Sequence, residues 1–194
     1  MMRLAGLHHL TAITSDAPDN VRFYTETLGM RLVKKTVNQD DVSAYHLFYA
    51  DKVGNPGTDV TFFDWPHAGQ TRSGHGLISS TALRVNSQES LDFWHNRLTE
   101  NQIDVQGPFD RYGSAALAFT DREGQRLELV VDHGKAGGEA WEHSPVPAEH
   151  QIKGLHSVRL TVAEQEPLWS VLVGVLGMQE AGTYQYGPDN IETT

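Results

Sequence analysis

Gly6-Leu7-His8-His9-Leu10-Thr11 opens a unit whose landmarks return later in the chain. Gly154-Leu155-His156 repeats its first three residues, and Leu176-Gly177-Met178 repeats Leu28-Gly29-Met30, both at a displacement of 148 residues. Two separate tripeptides sharing one offset point to duplication, so the chain reads as a series of modules. A fainter relative lies between the copies. Leu77 to Val85 stands where the first strand stands, and Ser90-Leu91-Asp92-Phe93-Trp94 stands where Val21-Arg22-Phe23-Tyr24 does.

Each module reads as β-α-β-β-β. In the first, Leu7 to Thr14 alternates as a strand, and Ser15-Asp16-Ala17-Pro18 supplies a cap and an early-turn proline for a helix over about Pro18 to Leu28. Gly29 ends that helix as a left-handed C-terminal residue. Arg31 to Asn38, Ala44 to Asp51 and Thr58 to Trp65 read as three further strands. The second module repeats the order, with a strand at Leu77 to Val85, a helix at about Gln88 to Asn101, and strands near Val105 to Phe109, Ala115 to Phe119 and Arg126 to Asp132. His133 to His150, with its Gly and Pro residues, reads as a linker. A third module opens with a strand at Gly154 to Val162 and a helix at about Glu166 to Leu176, after which too few residues remain for its last strands.

The expected organisation is therefore an N-terminal domain over 1–134 holding two modules (about 4–66 and 75–134), a linker over 135–153, and the start of a second, truncated domain over 154–194. A fragment, or a protein completed by another chain, is the expectation. The expected fold class is α+β, with paired β-α-β-β-β modules curling into a half-open barrel and the third module incomplete.

Composition narrows the chemistry. Fifteen Lys and Arg against 25 Asp and Glu give a net charge of −10. Such a surface repels phosphate backbones and anionic lipid heads, so neither nucleic acid nor membrane is expected as a partner. The absence of cysteine removes disulfides, thiolate metal sites and thiol nucleophiles. Apolar runs fall far short of the ~20 residues that span a bilayer, and Met1-Met2-Arg3-Leu4-Ala5 leads into no signal-peptide core, so a cytoplasmic location is expected. Ten histidines direct attention to imidazole and carboxylate chemistry. Gly-x-Gly-x-x-Gly, the phosphate-loop lysine motif and Gly-x-Ser-x-Gly are all missing, so dinucleotide binding, phosphate cradling and serine hydrolysis have no support.

His8-His9 is the sharpest local feature. Neighbours in a strand point to opposite faces, so only one of the two can face the concave side while the other braces it from behind. Taken alone, the pair also reads as ordinary part-buried imidazoles. Glu128, between Leu127 and Leu129, reads as a solvent-facing strand residue, and Asp64 as a surface residue. His46 reads as a packing or supporting group. His67, His75, His95, His133, His143 and His150 read as solvated, His156 as structural, and Phe93 with Trp94 as helix-to-sheet packing.

Gly6 to Thr11, Phe23-Tyr24 through Leu28-Gly29-Met30, Tyr45-His46-Leu47-Phe48-Tyr49-Ala50-Asp51, Gly54-Asn55-Pro56-Gly57-Thr58 and Val146-Pro147-Ala148-Glu149-His150 with Gly154-Leu155-His156 closely resemble the ring-cleaving dioxygenase family of the vicinal oxygen chelate superfamily, which also holds glyoxalases and bleomycin resistance proteins. The relatives in question open hydroquinone-type rings. The resemblance implies an Fe(II) ion, or Mn(II) in its place, held by two His and one Glu, with a small aromatic substrate and O2 as partners. It assigns His9 as one metal ligand and His8 and Thr11 as catalytic groups that contact substrate or relay a proton. The second His and the Glu belong to a fourth module, and nothing in residues 1–194 matches them. A homo-oligomer is left open. The alternative is a small-molecule binding protein or isomerase of the glyoxalase or bleomycin resistance type, without dioxygenase activity.

Overall fold

The computed structural model describes residues 5–39, 41–69, 71–135, 137–186 and 190–193. Two units result, one over Leu7–Thr161 and one that includes Val162–Thr194.

In the larger unit, the first module runs β1 (His9–Thr14), α1 (Ala17–Arg22) continued by a wide π-type turn (Phe23–Thr27), β2 (Arg31–Val37), β3 (Tyr45–Ala50) and β4 (Asp59–Asp64). Its sheet has the order β1-β4-β3-β2, with β1 and β4 parallel. The second module supplies β5 (Leu77–Val85), α2 (Gln88–Glu100), β6 (Gln106–Arg111), β7 (Ser114–Thr120) and β8 (Arg126–Val131). The start and stop signals act as expected. Asp16 caps α1 by accepting from the Asp19 N–H (3.0 Å), and Ser87 caps α2 by accepting from the Ser90 N–H (3.3 Å). Gly29 stands at φ +69°, where the left-handed turn ends the helix.

The strand that opens the third copy, β9 (Leu155–Thr161), joins the second module's sheet. That sheet reads β6-β7-β8-β5-β9, with β9 antiparallel to β5. Among the described residues, the first and second modules share no strand pairing. They share a core instead. Phe23, Tyr24, Leu28, Leu47, Tyr49 and Phe62 of the first module pack in one cluster with Leu83, Leu91, Trp94, Leu98, Leu117 and Leu127 of the second. Phe93 packs at the edge of this cluster, so both aromatics of the α2 pair serve helix-to-sheet packing as expected. Neither sheet closes on itself, so the α+β architecture stays half-open, with the opposite face of each sheet turned away from the core.

The segment read as a linker has no regular secondary structure yet is held at several points. The Glu139 N–H donates to Asp51 (2.8 Å), the Ser144 hydroxyl donates to the Gly29 carbonyl (2.7 Å), and Gln151 bridges the backbones of Trp141 and Val146.

The second unit contains α3 (Gln165–Trp169), a π-type continuation (Ser170–Val175), and a hairpin of β10 (Thr183–Tyr186) and β11 (Asn190–Thr193). The sequence leaves few residues after the helix, and the expectation that they are too few for further strands is corrected in part, because strands of only four residues fit the space as a hairpin. The duplication is visible at the level of single hydrogen bonds. The Leu28 and Met30 N–H groups donate to the carbonyls of Phe23 and Tyr24, and the Leu176 and Met178 N–H groups donate to those of Val171 and Leu172, each at 2.9 Å. Gly177, at φ +68°, repeats Gly29.

Candidate functional site

Strand alternation sends Leu10, Leu47, Tyr49, Val60 and Phe62 into the core and leaves the other set on the open face of the first sheet. Register then sets neighbours. His9 lies beside Asp59 and Thr11 beside Thr61 across the β1/β4 pair, while Phe48 lies beside Thr61 and His46 beside Phe63 across β3/β4. The result is a polar row flanked by aromatic rings. Thr61 donates to the Thr11 hydroxyl oxygen (2.9 Å), and its own oxygen stands 2.9 Å from His46 Nε2. The His46 ring lies 4.0 Å from that of Phe48 and 4.2 Å from that of Phe63. Burial, with the nearby charges of His9 and Lys34, holds His46 below its ordinary pKa and so neutral.

His8 departs from the expected bracing position behind the sheet. β1 starts only at His9, so His8 lies outside the pleat that would turn it away, and its carbonyl accepts from the Gly57 N–H (2.6 Å). The two rings meet edge to face at 5.2 Å, and their Nδ1 atoms are 3.1 Å apart. One of those nitrogens must carry the proton. If His9 donates and His8 accepts, His9 keeps a lone pair on Nε2, the arrangement a metal-ligating imidazole requires. Beside it, the Oδ1 of Asp59 is buried with no hydrogen-bond partner; burial raises the Asp59 pKa, against the opposing pull of His9 and His8. An imidazole with one nitrogen braced and the other free, next to an orphaned carboxylate oxygen, suits one corner of an Fe(II) or Mn(II) site. Among the described residues, no group of three or more His, Asp or Glu side chains could hold a metal ion alone.

Glu128 corrects the sequence reading. It is 6% exposed, because Arg111 of β6, Ser80 of β5 and Arg159 of β9 close over its carboxylate on the side of the sheet away from the main core. Its carboxylate accepts from Arg111 Nε (2.9 Å) and Nη2 (2.8 Å) and from the Ser80 hydroxyl (3.1 Å), with Arg159 at 3.5 Å. A carboxylate so occupied is not an open ligand. His150 is also not solvated, since it stacks on Phe93 (4.6 Å) and its Nδ1 stands 3.1 Å from the Ser90 hydroxyl. His156 is half-buried beside Ser157, with burial holding its pKa down. Asp64 is half-buried at the end of β4, whereas His67, His75, His95, His133 and His143 are exposed. Sequence reasoning missed Asp59 and Thr61 as members of the His9 face. A cross-strand signal existed in the alternation Asp59-Val60-Thr61-Phe62-Phe63, but the register that aligns it with β1 comes from tertiary pairing.

The sequence matches the Glyoxalase/Bleomycin resistance protein/Dioxygenase superfamily over residues 6–129. It is 46% identical over 180 residues to MhqA of Bacillus subtilis (strain 168), a protein assigned as a ring-cleaving dioxygenase, covering 92% of this chain and 57% of that protein. It is 31% identical over 183 residues to the chlorohydroquinone/hydroquinone 1,2-dioxygenase of Sphingobium indicum, covering 93% of this chain and 57% of the relative. A crystal structure of a protein assigned as a dioxygenase from Bacillus subtilis superposes with a TM-score of 0.85 at 32% identity, covering 98% of this chain and 63% of that one. The chain spans little more than half the length of the curated relatives it matches. Its repeated modules, its two open sheets and these matches agree: the chain belongs to the glyoxalase/bleomycin resistance protein/dioxygenase superfamily.

Proposed function

We propose that this chain forms part of a ring-cleaving dioxygenase that acts on hydroquinone- or catechol-like aromatics with O2, in the cytoplasm, using Fe(II) or, in its place, Mn(II). The observation that carries the reading is the open face of the first sheet. There His9, braced through Nδ1 by His8, stands beside an orphaned Asp59 oxygen and a row of hydroxyls walled by Phe48 and Phe63. The similarity to a hydroquinone dioxygenase supports the same substrate class.

His9 would hold the ion through Nε2, with further ligands supplied from outside these residues. The ion would supply a positive centre that lowers the pKa of a phenolic hydroxyl and brings O2 and the ring together. His8 would accept the His9 Nδ1 proton and so fix the ligand's tautomer. Thr11 presents a hydroxyl beside His9, placed to hold a phenolic oxygen in register. Phe48 and Phe63 offer flat apolar surface for an aromatic ring and keep water from its edge.

The test is oxygen uptake by the protein at its full natural length, loaded anaerobically with Fe(II) and given hydroquinone. About one O2 consumed per ring opened supports the reading. Hydroquinone that binds without O2 uptake, under either Fe(II) or Mn(II), would overturn it in favour of a binding protein.

A further inference from the structure

Thr61 is fully buried, and its hydroxyl is engaged on both sides. With its one proton given to Thr11 (2.9 Å), its 2.9 Å contact with His46 is made by the Thr61 oxygen accepting from His46 Nε2–H. The direction of the whole row then follows from a single proton. With Nε2–H on His46, every hydroxyl donates toward β1, and the Thr11 proton is the one left over, free to point off the open face beside His9. With the other tautomer the row reverses: Thr11 donates inward, and only a lone pair faces outward. The His46 ring packs on Phe48 along its own strand and on Phe63 across the sheet, at 4.0 and 4.2 Å and tilted 37° and 35° to their planes, which resists its turning. A histidine packed against two rings, on an inner strand of the sheet and in line with a buried threonine, is more than packing.

Resting on the functional reading above, we propose that His46 is a positioning residue: through Thr61 it orients the Thr11 hydroxyl as an outward hydrogen-bond donor to the oxygen of a bound phenol or phenolate. The site thereby favours ligands that present an acceptor oxygen at Thr11. A phenol methylated at that oxygen keeps a weaker acceptor and gains a methyl group where the Thr11 proton would sit.

Two measurements test this. Long-range 1H–15N spectra of 15N-histidine protein, with the His46 signals identified by their loss in His46→Phe, read the tautomer directly and need neither metal nor turnover. The expected result is the Nε2–H form in the wild type, with a Nε2 proton that exchanges faster in Thr61→Val and remains slow in Thr61→Ser. A wild-type Nδ1–H tautomer would overturn the proposal, whatever the protein's activity. On the full-length, iron-loaded protein with hydroquinone, His46→Phe keeps the ring clamp and should lower kcat about tenfold, the loss of roughly one hydrogen bond at the transition state. Thr61→Val should do the same, the double variant no more than either, and Thr61→Ser should recover most of the rate. Additive losses, or an unchanged kcat in Thr61→Val, would assign His46 to packing alone. If hydroquinone is not turned over at all, the functional reading fails while the tautomer result still decides the orientation of the row.

Discussion

Asp51→Asn is the sharpest probe of how the loop between β3 and β4, whose Gly57 N–H bonds the His8 carbonyl, is held. Asp51 is buried, and its two oxygens are divided between two groups of donors. Oδ1 accepts from the backbone N–H groups of Val53 (3.2 Å), Gly54 (2.7 Å) and Asn55 (2.9 Å), while Oδ2 accepts from Asn55 Nδ2 (2.7 Å) and the Glu139 N–H (2.8 Å). An asparagine keeps the shape but turns an N–H2 toward one of these groups, so at least two charge-assisted bonds become donor-to-donor contacts. At about 1.5–3 kcal/mol for each such bond, and allowing for relaxation, the loss should be about 3 kcal/mol. With a urea dependence of about 2 kcal/mol per molar, that moves the unfolding midpoint down by roughly 1.5 M. Burial works against ionisation here, yet the N–H groups of Asn55, Glu139 and Gly54 outweigh it and hold the carboxyl below its ordinary value. A depressed carboxyl contributes stability that is fully present above its unfolded pKa of about 3.9 and is lost as pH falls through the folded value. The gap between wild type and variant should therefore be full near pH 7 and shrink below about pH 4. A midpoint shift under about 0.3 M, or a gap that does not change with pH, would refute the reasoning.

Other expectations follow from particular contacts. Glu128→Leu takes the carboxylate from half-buried Arg111 and should cost about 2–3 kcal/mol in denaturant unfolding, whereas pairing it with Arg111→Met should recover most of that loss. In Gly29→Ala the new Cβ would stand 2.6 Å from Val146 Cγ2 and 2.7 Å from Ser144 Oγ at φ +69°, so a loss of about 3 kcal/mol is expected from strain and overpacking together. At the equivalent Gly177, at φ +68° with open space around the added atom, the same change should cost about 1 kcal/mol. Similar losses at the two glycines would contradict the packing account. Tyr24→Phe removes the buried hydrogen bond to Asp121 (3.2 Å) and should lower stability by about 1 kcal/mol, read from the urea midpoint.

The modules were legible in the sequence because duplication leaves identical residues at one offset, and Leu28-Gly29-Met30 repeats even its hydrogen bonds 148 residues later. His9 is singled out by its motif, and its place on the open face of the first sheet follows from strand alternation. Long-range pairing was not legible. Glu128 read as solvent-facing because Arg126-Leu127-Glu128-Leu129 alternates as a one-sided strand, and only side chains brought from other strands, Arg111, Ser80 and Arg159, cover it. The antiparallel match of β9 to β5 joins residues far apart in the chain, and no local pattern states it. The row from His46 through Thr61 to Thr11 depends on three strands in fixed register, which composition and spacing leave undetermined.

The free nitrogen of His9 is the point on which the proposed metal site rests. Iron content of the full-length protein, purified and reconstituted without oxygen, tests it most directly. The wild type should retain about one iron per chain, and His9→Ala should fall to background while keeping the wild-type unfolding midpoint. Full iron retention by a folded His9→Ala protein would place the metal elsewhere and contradict the central claim.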